Sequence, residues 1–213
     1  MHYRFQLHTV LLLSLLWLPA WALAGQCLLL VVGDSLSSGL GLAPGQGWVD
    51  RLEARMKKST PQWHVVNASV SGDTTQNGLQ RLAPALGRQR PQGVLIELGA
   101  NDILRGTPPK VIRQNLTTLI REARANGNWV VLLEAPVLPN YGKAYAEAVA
   151  KLYAEVARRE GIVLVPCFVC GVAVQPDMMQ ADGLHPNENA QDSMLDAVWP
   201  YLKPKLLCPQ NGR

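Results

Sequence analysis

A chain of 213 residues with 48% hydrophobic and 17% charged side chains is long enough for one well-cored domain and too apolar for a disordered tail. Its 20 basic against 16 acidic residues give a formal net charge of +4, with no Lys/Arg cluster interleaved with aromatics, which argues against nucleic-acid binding. A pI near 9 gives at most a slight lean towards anionic lipid surfaces.

The chain opens as an export signal. Arg4 lies in a short polar start, Thr9 to Leu18 is nearly all apolar, and Ala22-Leu23-Ala24 brings small residues to a cleavage point. The expected division is a secretory signal over 1–24 and one domain over 25–213, which places the mature protein in the periplasm or outside the cell. The apolar run falls short of the roughly 20 residues of a bilayer span, so stable membrane insertion is not expected; a retained anchor is the alternative. Gln26 precedes Cys27 where lipoprotein processing normally takes a small residue. Without Arg4 the rest of the chain carries 19 basic and 16 acidic side chains, a net +3.

Beyond the signal, short apolar runs alternate with helical patterns. Leu28–Val32, His64–Ala68, Val94–Leu98, Trp129–Leu133 and Ile162–Val165 suit strands buried on both faces. Ile112, Leu116, Leu119, Ile120 and Ala123 recur at helical spacing, and Gly127 stops that helix. Tyr145, Val149, Leu152, Tyr153 and Val156 do the same before Gly161. Met194, Leu195, Val198 and Trp199 mark a last helix that Pro200 should end or kink. Five strands, each followed by a helix, predict an α/β domain with a parallel sheet covered on both sides. Ligands of such sheets bind beyond the carboxyl ends of the strands.

Polar, reactive residues fall at those ends. Strand one runs into Gly33-Asp34-Ser35, strand two into Ser69-Val70-Ser71-Gly72-Asp73, and strand three into Gly99-Ala100-Asn101-Asp102. The loop after strand five carries Asp182-Gly183-Leu184-His185-Pro186. Ser35, at a strand-to-helix turn, is a candidate nucleophile, and His185 is the one well-placed base after the signal, with Asp182 three residues earlier to orient it. Gly72 lets a backbone N–H approach a substrate closely, and the Asn101 amide offers two neutral donors, so both fit an oxyanion hole. Each piece also has a plainer reading. Gly-Asp-Ser can be a capping turn, Asp-x-x-His and Asn-Asp can be helix caps, and Gly72 can be a turn residue. The four together carry the inference.

Those blocks resemble the SGNH hydrolase family, and more narrowly its periplasmic branch of multifunctional thioesterase, protease and lysophospholipase enzymes. Val66-Asn67-Ala68-Ser69, Leu104-Arg105-Gly106 and Pro139-Asn140-Tyr141-Gly142 extend the likeness over nearly the whole chain after the signal. The resemblance implies a flavodoxin-like three-layer fold with strand order 2-1-3-4-5. It implies a Ser35–His185–Asp182 triad and an oxyanion hole of the Ser35 N–H, the Gly72 N–H and the Asn101 side chain. It implies no metal and no cofactor, and a serine esterase acting on small acyl esters, thioesters or lysophospholipids, taken here as a monomer. In similar enzymes the loop matching Ile103–Pro109 moves on acyl binding, and Val137 and Leu138 fall where the acyl groove is lined; Ile103 and Leu104 are therefore counted with them. Ala100 and Ile103 depart from the small residues usual at their places.

The cysteines are open to more than one reading. Cys167 and Cys170 have C-x-x-C spacing, but no second ligand pair accompanies them, so a local disulfide or two inert thiols is expected over zinc or redox chemistry. Cys27 opens strand one, and the last helix should bring Cys208 back to that end of the sheet, where the two can form a disulfide. Two rival functions remain. A carbohydrate O-acetylesterase of the same fold would need a polar cleft, whereas Ile103-Leu104, Val137-Leu138 and Met178-Met179 beside the site are apolar. A non-catalytic flavodoxin-like binding module would leave Asn101 and His185 without a task. A hydrolase of the nucleophile-elbow type is disfavoured, because no Gly-x-Ser-x-Gly occurs.

Overall fold

The computed structural model describes residues 26–137 and 139–206. The expected signal segment, Leu138 and Cys208 lie outside the described residues, and so does the Cys27–Cys208 pairing. Five strands form one sheet: β1 Cys27–Gly33, β2 Trp63–Asn67, β3 Gly93–Glu97, β4 Trp129–Leu133 and β5 Val163–Val165. Their order is β2-β1-β3-β4-β5, and every neighbouring pair is parallel. The sequence placed each strand within one residue of its observed bounds.

Alternation along each strand supplies two cores. Leu29, Val31, Leu95, Val131 and Leu133 face one layer, while Leu30, Val32, Val94, Ile96, Val130 and Leu132 face the other. The first layer is α2 (Trp48–Ser59) and α8 (Gln191–Leu202), which bury Trp48, Leu52, Met56, Met194, Leu195 and Val198. Arg51 and Arg55 of α2 reach Asp192 and Asp196 of α8 at 2.5 and 2.7 Å. The second layer is α3 (Thr75–Gln89), α5 (Pro109–Arg124) and α6 (Lys143–Glu160), whose apolar stripes bury Leu82, Leu116, Leu119, Leu152 and Tyr153. Short helices α1 (Ser35–Ser38), α4 (Ala100–Leu104) and α7 (Cys170–Ala173) follow β1, β3 and β5.

Helix ends only partly follow the sequence signals. Gly161 caps α6 in the left-handed conformation, as its position suggests. α5 stops earlier, at Arg124, with Gly127 in the turn that follows. α8 continues through Pro200 to Leu202 before a 3₁₀ turn over Lys203–Lys205. Leu202 and Leu206 are both buried, and their anchorage carries the chain past the proline. Among the described residues no helix is long and apolar enough to cross a membrane.

One buried contact joins the second layer to the reacting edge. The Tyr153 hydroxyl of α6 donates to the Leu98 carbonyl at 2.7 Å, just past the end of β3. Gly99 follows with φ +123°, and a Cβ there would lie 2.0 Å from that hydroxyl oxygen, so only glycine lets the chain turn under Tyr153. Burial pushes the phenol well above its usual range and keeps it a neutral donor. Replacing Tyr153 by Phe strands a buried carbonyl. Its expected cost is about 1–3 kcal/mol in urea unfolding, and an unchanged midpoint would show that the carbonyl finds another donor.

Candidate active site

α1 starts at Ser35 immediately after β1. The Asp34 carboxylate caps it, Oδ1 accepting the Leu36 N–H at 3.0 Å. Gly33 is a matter of room: a Cβ would lie 2.8 Å from both Glu97 Oε2 and Ser37 Cβ. The loop after β2 is tied to this turn, Val70 N–H donating to the Gly33 carbonyl at 3.0 Å and Ser71 Oγ lying 2.8 Å from Ser38 Oγ. Asp73, next to Gly72, is held by Arg81 of α3, whose Nε is 2.7 Å away. After β3, Asp102 accepts both the backbone N–H and the hydroxyl of Thr75 at 2.7 Å, which locks α4 to the start of α3.

The loop carrying the histidine is braced independently. Met179 and Pro186 form a β-bridge, and the Gln180 N–H donates to the His185 carbonyl at 2.8 Å. The Gln180 amide also donates to the Leu40 carbonyl at 2.8 Å, which ties this loop to the chain after α1. Asn187 caps the 3₁₀ turn Glu188–Ala190 that leads into α8, so Pro186-Asn187 does open helical structure.

These elements bring Ser35, His185 and Asp182 together although 150 residues separate the first two. His185 Nε2 lies 2.9 Å from Ser35 Oγ, and Nδ1 lies 2.7 Å from Asp182 Oδ2. Asp182 Oδ1 accepts the N–H groups of Leu184 and His185 at 2.9 and 3.0 Å. The His185 hydrogen bond, followed by those two N–H groups, holds the Asp182 carboxyl down at about 2. An ionised carboxylate only accepts, so Nδ1 carries the proton and Nε2 is left to accept from the serine hydroxyl.

Gly72 and Asn101, the expected oxyanion donors, line the same cavity as Ser35. Among the described residues neither the Ser35 nor the Gly72 backbone N–H meets an acceptor. The Asn101 amide is engaged on both hydrogens, donating to Asp34 Oδ2 at 3.1 Å and to the Asp73 carbonyl at 3.0 Å. Asp34 is fully buried, and burial raises its carboxyl to about 6 against the opposing pull of the Leu36 N–H and the Asn101 amide. Asp34 and Asp73 stand in the loops read from the sequence, Asp34 there only as a possible cap, while Arg81 and Glu97 were given no role. Of the latter two, Glu97 left a signal, as the one charge in an apolar strand.

A cavity of about 560 Å³ opens over Ser35 and His185. Leu36, Leu40, Ala100, Leu104, Val137, Ala173, Val174, Met179 and Leu184 line it, a mostly apolar wall. Leu104 and Val137, read from the sequence as groove residues, both line this cavity. Ile103 does not: its side chain turns inward from α4 and is 1% exposed in the core with Leu98 and Leu116, so it packs the fold rather than the groove. Cys167 and Cys170 form a disulfide, and Cys170 lines the cavity. Among the described residues no group of three or more His, Cys, Asp or Glu is placed to hold a metal ion.

The model of the GDSL-like lipase/acylhydrolase family matches residues 31–192. Esterase TesA of Pseudomonas aeruginosa is 49% identical over 178 residues, covering 84% of this chain and 89% of that protein. Thioesterase 1/protease 1/lysophospholipase L1 of Escherichia coli K12 is 38% identical over 176 residues, 83% of each chain. The psychrotrophic esterase EstA from Pseudoalteromonas sp., solved inhibited by monoethylphosphonate, superposes with a TM-score of 0.79 at 36% identity, covering 84% of this chain and 98% of that one. With the strand order, the four loops at one edge and a match across three quarters of its length, the chain belongs to the GDSL-like lipase/acylhydrolase family.

Proposed function

We propose that this protein is an exported serine esterase and thioesterase in which Ser35 forms an acyl-enzyme, and the Asp182–His185–Ser35 relay is the observation that carries the reading. His185 Nε2 takes the hydroxyl proton as Ser35 Oγ attacks the acyl carbonyl carbon. The negative charge moves to the carbonyl oxygen, where the Ser35 and Gly72 N–H groups and the Asn101 amide are the donors within reach. Collapse breaks the bond to the leaving alcohol or thiol, which leaves with the proton from His185. Water then repeats the sequence on the acyl-enzyme and returns the serine. Asp182, charged throughout the neutral range, holds the imidazole in the productive tautomer.

The apolar pocket favours an acyl chain over a sugar, which makes fatty acyl thioesters and lysophospholipids the substrate class and disfavours the carbohydrate O-acetylesterase reading. The enzyme is read as a monomer with a signal over 1–24 and a hydrolase domain over 25–213. Ile103–Pro109 remains the segment proposed to respond to the acyl chain.

Three measurements test this reading. Titration with an organophosphonate should label Ser35 stoichiometrically, and Ser35→Ala should lower kcat for p-nitrophenyl esters on the order of a millionfold; an unlabelled folded protein would leave the binding-module reading standing. Asp182→Asn should lower kcat by about 10²–10⁴-fold, less than for a buried triad aspartate, because Asp182 is exposed to water. A loss of less than tenfold would remove Asp182 from the triad. Ala173→Trp, projecting into the cavity, should cost long acyl chains three or four buried methylenes. At about 0.8 kcal/mol each, kcat/KM should fall about 50- to 200-fold for long chains and little for acetyl esters. An equal loss on both would place the acyl chain elsewhere.

A further inference from the structure

We propose that Glu97 is a positioning residue for this hydrolytic site: it is held as a neutral carboxylic acid whose Oε1 proton is donated to the Asp34 carboxylate, the group that grips the Asn101 amide. The inference rests on the reading of Ser35 as nucleophile and Asn101 as oxyanion donor. It concerns how that donor is held.

Glu97 ends β3 and is 1% exposed. Its two oxygens are treated differently by the surroundings. Oε2 accepts the Ser37 hydroxyl at 2.7 Å and the Asp34 N–H at 3.3 Å. Oε1 is buried and meets no donor among the described residues. A carboxylate oxygen left so would forfeit its solvation with nothing in return. The Asp34 N–H bond to Glu97 Oε2 places the two buried carboxyls beside one another, and the Asp34 charge pushes the Glu97 carboxyl up. Two carboxylates cannot share a buried site with both charges intact, so one proton must lie between them. If Oε1 carries it, the orphan oxygen becomes a donor and Asp34 its acceptor, and no polar atom of the pair is left over.

The partners decide which residue keeps the proton. Asp34 accepts the Leu36 N–H and the Asn101 amide, two bonds that favour its charged form. It also faces His185 across the site. Burial and the neighbouring Asp34 charge push the Glu97 carboxyl well above its usual range, while Asp34 sits at about 6. Tyr153, a neutral donor, feels the charges of both carboxyls together with those of Asp102 and Glu134. None of them supplies a positive charge to relieve Glu97. The motif glycine fits the same arrangement, since a side chain at Gly33 would occupy the space of the Glu97 carboxyl.

The consequence for catalysis runs through Asn101. Its amide must turn some of its hydrogen bonding towards an oxyanion while remaining in place. An anionic Asp34, fixed from behind by the Glu97 proton, holds the amide at one position against the cavity. An Asp34 freed of that proton, or itself protonated, holds it less well. The sign for pH is set by the raised Asp34 value: the anion is present above about pH 6 and is lost as pH falls through it.

The test compares wild type with E97Q and E97L. Infrared difference spectra of wild type minus E97Q at neutral pH should contain a protonated-carboxyl band that shifts in D₂O. Its absence overturns the proposal without needing any variant to be active. Kinetically, E97L should lower kcat about 10- to 100-fold, within the range of a weakened oxyanion donor, with little change in KM. E97Q, which can donate to Asp34 and accept from Ser37, should restore most of that loss. Equal damage by E97Q and E97L would show that the charge of Glu97, not its proton, matters, and would also overturn the proposal. Phosphonate labelling of Ser35 is measured alongside: wild type that fails to label defeats the esterase reading itself, whereas labelling without the infrared band defeats only the role of Glu97.

Discussion

The reacting edge of the sheet is organised around a buried anion. Asp34 has no access to water, yet it receives the Leu36 N–H that starts α1 and the Asn101 amide that starts the β3 loop. Behind it stands Glu97, which also takes the Ser37 hydroxyl. Two segments far apart in sequence are thus referred to one carboxyl pair. The cost of burying that pair is offset only when every donor arrives in place, so the turn at Ser35 and the loop at Asn101 are set together rather than separately. The parallel sheet makes this possible, because adjacent strands β1 and β3 deliver both loops to the same edge.

Two aspartates at this edge are given opposite tasks by their surroundings. Asp182 is water-exposed and bonded to His185 and two N–H groups, and its carboxyl lies at about 2. Asp34 is bonded to N–H groups as well, but desolvation prevails and its carboxyl rises to about 6. The first can stay charged beside an imidazole through a catalytic cycle. The second is the more responsive to its neighbours, and its charge depends on where a nearby proton resides. Divergent environments thus separate the aspartate bonded to His185 from the one bonded to the Asn101 amide.

Much of this was readable in the sequence, for physical reasons that also mark where reading stops. A strand buried on both faces must be a continuous apolar run, so all five strands were legible within a residue, and their carboxyl ends pointed to Ser35, Gly72, Asn101 and His185. Helix ends were less so, since burial of Leu202 overrides Pro200 and α5 frays before Gly127. Ile103 was assigned to the groove by resemblance, but the short turn of α4 rotates it into the core and leaves Leu104 and Ala100 at the cavity. Glu97 had no motif to announce it. A lone acid in Val-Leu-Ile-Glu-Leu acquires meaning only from Asp34 and Ser37, which follow a different strand, β1. The C-x-x-C pair left a disulfide and free thiols equally open, and the fold closes it as a disulfide.

The chemistry and the selectivity of this site are built from different parts of the chain. The polar groups come from loops that β1, β2 and β3 present, together with the braced turn around His185. The apolar wall draws heavily on α7 and its two flanks, where Val169, Cys170, Ala173 and Val174 meet the cavity and the Cys167–Cys170 bond closes the turn before the helix. None of those wall residues hydrogen-bonds to Ser35, His185 or Asp182. Changes in the wall can therefore alter which chain fits while leaving the proton path intact, because dispersion and burial, not hydrogen bonding, govern that half of the pocket. The reverse does not hold. On the proposed mechanism a change at Asp34 or Glu97 would act on every substrate alike, since all of them would pass through the same oxyanion.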